Sequence, residues 1–324
     1  MTNTDTSWTD RLASVMPTNF MNNISAAFKD NTASMFLDTM MNRIGLTVVS
    51  GVDSPVNPFA KYTGQVLDYG DTVQKYKVDY IKGQKYDPDN TNPFTTTKNK
   101  PYAQYITLDD SIQYHDRINE YEFKKAFTSD NKLGDFVSAK LDALYESDGL
   151  DKYTKWKKYL SDKDKYKYSV ELEQSTTDND VLAGGLWDTF RLFANSKFRQ
   201  PNSAYNLAGQ TAISPSVDII MRADDKLKVD NYLKGVYNLE KTDVNANIML
   251  IDDFATVTSP PTAKDELIAL ILDSRALTYY PRTPVSGSIY NPAGNNMEYY
   301  LTIQGTYCID KFRNAVAVYA KAAS

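Results

Sequence analysis

Tyr76, Val78 and Tyr80 alternate with Lys75, Lys77 and Asp79 in the stretch VQKYKVDYI (73–81). A period of two describes a strand with one apolar face and one charged face. The next stretch, GQKYDPDNTNPFTTTKNKP (83–101), is rich in Gly, Pro, Asn and Asp, the residues of turns. YAQYITL (102–108) leads the chain back, so residues 64–108 read as one long hairpin. A two-stranded ribbon with one apolar face is marginal alone in water. Either the protein's own core or another copy must cover the face lined by Tyr76, Val78 and Tyr80.

The pattern then changes to a helical one over 119–160. Leu133, Phe136, Val137, Leu141, Leu144 and Tyr145 follow the i, i+3, i+4 rule, and Tyr153, Trp156 and Leu160 continue it. Ser129 or Asp130 can cap the start, and Gly149 can end it. The spacing admits one long helix kinked at SDGLD (147–151) or two helices. In KYKYSVELEQ (165–174), Tyr166, Tyr168, Val170 and Leu172 alternate with Lys and Glu, which predicts a strand. A helix follows from about Asp178, with Leu182, Leu186, Phe190 and Phe193 on one face. Further strands are predicted at VDIIM (217–221), NIMLI (247–251, buried), ELIALIL (266–272), MEYYLTI (297–303) and NAVAVYA (314–320), with a helix near Leu227 to Leu233. Strands and helices mix without strict βαβ alternation, so the fold class is α+β. Residues 1–60 are rich in Asn, Thr, Ser and Met. Phe36, Leu37, Met40, Met41 and Ile44 fit either a core helix or an arm lying on a neighbouring subunit.

Composition narrows the function. The chain has 324 residues, enough to bury about three quarters of its unfolded surface. Tyr is unusually frequent, 24 against 13 Phe and 3 Trp, and Tyr suits half-buried interfaces. A net charge of −5 argues against a dedicated nucleic-acid-binding domain. It does not exclude a protein that encloses nucleic acid. The single Cys rules out an internal disulfide. The first 20 residues lack the basic start and apolar run of a signal peptide, and no apolar run approaches a membrane span.

Candidate chemistry is sparse. His115 is the only histidine and Cys308 the only cysteine, so every Ser-His-Asp, Cys-His or zinc arrangement meets a shortage of residues. His115 reads as structural and Cys308 as a small buried hydrophobe. DPDN (87–90) starts like a calcium loop, but the sixth position is Asn92 and the twelfth is Lys98. No phosphate-binding Gly-rich loop or dinucleotide fingerprint occurs. Gly184-Gly185 fits a place where two elements pass closely. Lys and aromatics interleave in DKYTKWKKYLSDKDKYKY (151–168), which fits an amphipathic helix followed by a strand better than a base-stacking platform. No catalytic, cofactor-binding or metal-binding residues are expected.

The order of pieces carries a resemblance. YGDTVQKYKVDYIKGQKYDPDNTNPF (69–94), VNANIMLIDDFATV (244–257) and the closing NPAGNNMEYYLTIQGTYCIDKFRNAVAVYA (291–320) flank the long helix and the mixed region. This resembles the major capsid proteins of tailed bacteriophages with the Hong Kong-97-like fold, especially those of short-tailed phages. The resemblance implies an N-terminal arm (1–60), an extended-loop hairpin (61–110) and a peripheral domain with the spine helix (111–180). It further implies an axial domain (181–300) and closing strands returning to the peripheral sheet (301–324). It implies a structural, non-enzymatic subunit that assembles as hexamers and pentamers into an icosahedral head around double-stranded DNA. Tyr76, Val78, Tyr80, Phe94 and Tyr102 become the subunit-interface candidates. The implied partners are further copies, a scaffolding protein and a portal; the implied location is the virion, assembled in the host bacterial cytoplasm, with no membrane. Alternatives from the residues alone are a carbohydrate-binding or glycoside-hydrolysing protein, suggested by abundant Tyr and carboxylates, or a nanocompartment shell.

Overall fold

A computed structural model describes residues 57–68, 70–78, 100–107, 110–119, 130–173, 179–195, 197, 205, 217–237, 246–254, 266–294 and 296–321. The expected arm up to residue 56, the hairpin tip at 79–99 and the start of the second helix at Asp178 lie outside them. The described residues divide into two compact units. One draws on those within Met1–Asp71, Leu108–Tyr153 and Tyr280–Thr306; the other on those within Thr72–Thr107, Thr154–Tyr279 and Tyr307–Ser324.

In the first unit, a short 3-10 helix at Pro58–Tyr62 is capped by Asn57, whose side chain accepts the Phe59 N–H at 3.0 Å. Phe59 is fully buried and stacks on Tyr153 with ring centroids 5.9 Å apart. Strand β3 (Asp110–Asn119) pairs antiparallel with β10 (Asn296–Ile309), from Asn296 opposite Asn119 to Gly305 opposite Asp110. Strand β9 (Val285–Asn291) pairs with the same stretch of β10 on its other side. Strand β8 (Leu277–Pro281) completes this four-stranded sheet. The long helix α1 (Asp130–Leu160) is tied to β3 by an ion pair between Lys140 and Asp116 and by the Tyr114 hydroxyl, which donates to Asp151 at 3.0 Å.

One expectation is corrected here and one open alternative is decided. Residue 119, where the helical part was expected to start, instead ends the strand Asp110–Asn119. In β3, Ile112, Tyr114 and Ile118 alternate with the exposed Gln113, His115 and Arg117, and the charged Asp116 on the inner face hid that pattern. Strands β8 and β9 were not anticipated either. β9 (VSGSIYN) has weak strand propensity and forms by pairing along β10. Finally, α1 is continuous for 31 residues, and Gly149 lies inside it. A mid-helix Gly costs about 1 kcal/mol relative to Ala. Burial of Trp156 and Leu160 beyond it contributes more, since a fully buried large apolar side chain is worth roughly 1.5–3 kcal/mol.

The second unit is built on a five-stranded sheet in the order β4-β11-β7-β5-β6, comprising β4 (Tyr168–Glu173), β5 (Val217–Arg222), β6 (Asn247–Ile251), β7 (Glu266–Asp273) and β11 (Ala315–Lys321). Helices α2 (Asn179–Asn195) and α3 (Ala223–Tyr237) pack on it. Leu182, Leu186, Phe190 and Phe193 of α2 and Val229 and Leu233 of α3 form one core with Ile219, Met221, Ile268, Ile271, Val316 and Val318. β5 and β7 are buried along almost their whole length, which accounts for their continuous apolar runs. β6 was expected to be buried but is an edge strand, with Leu250 exposed. The closing strand β11 runs parallel to β4 and antiparallel to β7, inside the same sheet as β5 and β6.

The Gly184-Gly185 expectation holds. A Cβ on Gly184 would meet the Tyr232 ring of α3 at 3.1 Å, and one on Gly185 would meet Leu172 of β4 at 3.2 Å. Glycine permits this close approach of helix to helix and helix to sheet.

Candidate functional site

The hairpin consists of β1 (Val73–Val78) and β2 (Pro101–Ile106), antiparallel, with Val73 opposite Ile106 and Val78 opposite Pro101. Its two faces follow from the alternation of side chains along each strand. One face carries Val73, Lys75, Lys77, Tyr102, Gln104 and Ile106, and it is the one turned toward the rest of the second unit. Lys75 reaches Asp310 at 3.2 Å. Gln104 donates to the Ile309 carbonyl at 3.0 Å and accepts the Lys311 N–H at 3.0 Å. Ile106 is buried. The inward face is thus the charged one, held by hydrogen bonds and an ion pair.

The apolar face is left outward. Tyr76 is 64% exposed, Val78 48% and Tyr105 62%, and Pro101 and Ala103 lie beside them. The Tyr76 hydroxyl donates to Gln74 at 2.5 Å. Hydrogen bonding with Tyr105, then burial and the Tyr105 charge, raise its pKa. The register places the two phenols on the same face. Tyr76, Val78 and Tyr105 therefore form one exposed apolar cluster on a single face of the hairpin.

Of the five interface candidates, Tyr76 and Val78 lie together on this face. Tyr102 lies on the opposite, half-buried face. Tyr80 and Phe94 lie outside the described residues. Tyr105 was missed, although the alternation in YAQYI contained the signal. Register decides the face: Tyr105 stands opposite Gln74, which shares its side with Tyr76.

The residues considered for chemistry have structural partners. His115, on the exposed face of β3, stacks on Tyr300 with centroids 4.7 Å apart at 11°, and its Nε2 lies 3.6 Å from Glu298. Arg117 pairs with the same carboxylate at 3.2 Å. The Asn291 amide beside Glu298, and then the Tyr300 hydroxyl, Arg117 and His115, hold its carboxyl below the usual range despite some desolvation. Cys308 is buried in β10. Among the described residues, no group of three or more His, Cys, Asp or Glu is placed to hold a metal, and no helix is long and apolar enough to cross a membrane.

The major capsid protein of Bacillus phage PZA is 25% identical over 290 residues, covering 87% of this chain and 62% of that protein. The major capsid protein of Streptococcus phage Cp-1 is 24% identical over 289 residues, covering 83% of this chain and 78% of that protein. The chain spans about three fifths of the length of the Bacillus phage relatives it matches. Among solved structures, a chain in the capsid structure of Staphylococcus phage Andhra superposes with a TM-score of 0.58 over 82% of this chain and 84% of its own, at 12% identity. The fold is therefore the Hong Kong-97-like capsid fold. Residues 2–319 match the Phi29-like phage major capsid protein family, and the chain belongs to that family.

Proposed function

We propose that this chain is the repeating subunit of an icosahedral phage head, that its copies associate as hexamers and pentamers, and that the shell encloses double-stranded DNA. The role is structural and not enzymatic. The observation that carries this reading is the outward apolar face of Tyr76, Val78 and Tyr105 on a hairpin whose charged face is already held down. An adjacent copy is the occupant that fits this face, because the family assembles from identical subunits. Each such contact is small, but many made at once close a stable shell. In this reading the hairpin is the extended loop. The unit with the five-stranded sheet supplies the axial part around capsomer centres. A scaffolding protein and a portal join during assembly in the host bacterial cytoplasm, and the virion is the final location.

Electron microscopy of the purified protein, alone and with candidate scaffold, tests the proposal. Closed shells or capsomer rings are expected. A strictly monomeric protein under both conditions would count decisively against it.

A further inference from the structure

The chain enters β1 through a turn that one distant side chain holds at both ends. The Asp71 N–H donates to the Asp68 carbonyl at 3.2 Å and closes the turn. Gly70 within it has φ +89°, the left-handed region that glycine occupies without strain. Arg282, directly after β8, spans the same turn. Its guanidinium donates to the Asp71 carbonyl at 2.7 Å and to the Asp68 carbonyl at 3.4 Å, so a single planar fork fixes both ends. The backbone on either side is tied as well. The Leu67 N–H donates to the Pro281 carbonyl at 2.8 Å, and the Thr283 N–H to the Leu67 carbonyl at 3.3 Å. The N–H of Arg282 itself donates to the Gln304 carbonyl of β10 at 2.8 Å.

Stability alone does not account for this arrangement. Arg282 is 6% exposed, its Nε has no hydrogen-bond partner, and among the described residues no carboxylate pairs with it. Burying a cation without a counter-charge is costly, and an apolar side chain in such a place often leaves a fold at least as stable. What the guanidinium supplies is one defined turn geometry. The side chains of Asp68 and Asp71 are exposed, and the fork reads only their carbonyls. Thr72 alone separates this turn from β1, which begins at Val73. A strand rises about 3.3 Å per residue, so Val78 lies roughly 17 Å beyond Val73, and a small rotation at the turn displaces it much further than the turn itself. We infer that Arg282 is a positioning residue for assembly: through the turn it sets the direction in which the chain enters β1, and so how Tyr76 and Val78 are presented to an adjacent copy. Arg282 is too buried to be the contact itself. The inference rests on the shell reading above.

Full-length wild type, Arg282→Lys, Gly70→Ala and a control, Asp71→Asn, are compared at equal concentration, with and without candidate scaffold. Shells are counted by electron microscopy, and amide hydrogen exchange is followed in the unassembled protein. Lys keeps the charge but has no planar fork to span two carbonyls. A Cβ at Gly70 meets no atom within 4 Å, so Gly70→Ala strains only the backbone. Both variants are expected to lower shell yield about tenfold or more and to quicken exchange at Gly70, Asp71 and Val73 by a similar factor, with β7 exchange unchanged. Asp71→Asn should behave as wild type, because only its carbonyl is used. Circular dichroism checks folding, and if Arg282→Lys fails to fold, Gly70→Ala decides, since it leaves Arg282 in place. Wild-type shells with undiminished yield from the folded variants overturn the positioning role and leave the shell reading standing. Lost shells accompanied by equally faster β7 exchange mean general destabilisation and also overturn it. A wild type that forms neither shells nor capsomer rings overturns both readings.

Discussion

Gln104 Nε2 donates to the Ile309 carbonyl at 3.0 Å while its Oε1 accepts the Lys311 N–H, so one amide clamps the hairpin to the end of β10. Gln104→Leu keeps similar volume and strands both backbone groups. The expected loss is about 1–3 kcal/mol, the penalty of unsatisfied polar groups on partial burial. Chemical denaturation measures it. Hydrogen exchange of the β1 and β2 amides should quicken more than that of β7.

Charging the outward face separates folding from assembly. Val78→Asp and Tyr105→Asp touch exposed positions, so monomer stability should change by no more than about 0.5 kcal/mol. Shell formation in electron microscopy should be lost, because a buried unpaired carboxylate opposes the contact. Intact shells from both variants would sink the assignment of this face to a subunit interface.

The close approach at α2 predicts a packing defect. Gly185→Val places a branched side chain where a Cβ alone already meets Leu172 at 3.2 Å. Overpacking of this kind costs roughly 1–3 kcal/mol. A drop in thermal midpoint without loss of the helical signal is expected; an unchanged midpoint would mean that β4 shifts freely.

Two carboxylates give pH effects of opposite sign. Asp148, 4% exposed, has its pKa raised above the ordinary 3.8, chiefly by burial, with Lys152 at 2.5 Å offsetting only part of it. Between 3.8 and the raised value, the folded protein binds more protons than the unfolded chain. Asp148's contribution to stability therefore declines as pH rises through that window. Glu298 is lowered from 4.5, first by the Asn291 hydrogen bond, so its contribution is present above 4.5 and lost as pH falls through the folded value. Unfolding free energy measured against pH should flatten in the first window for Asp148→Asn and in the second for Glu298→Gln.

Much of the architecture was legible in local pattern. The alternation in VQKYKV and KYKYSVELEQ, the strand predicted at MEYYLTI, and the i, i+3, i+4 run of Leu182, Leu186, Phe190 and Phe193 correspond to β1, β4, β10 and α2. The paired glycines marked a close approach that exists. Of the strands that escaped notice, β9 has weak propensity of its own and is held extended by pairing along β10, while the alternation in β3 was masked by Asp116 on its inner face.

The sequence by itself determined that the hairpin has two unlike faces, because alternation along a strand is a local property of the backbone. It also limits arrangements that need histidine or cysteine, since the chain has one of each. Only the tertiary structure decided which hairpin face turns outward. That choice depends on Asp310, Ile309 and Lys311, more than 200 residues away in sequence, which satisfy Lys75 and Gln104 and so leave Tyr76, Val78 and Tyr105 uncovered. Long-range hydrogen bonds and register leave no mark on the local period, so no reading of the strand alone could place them.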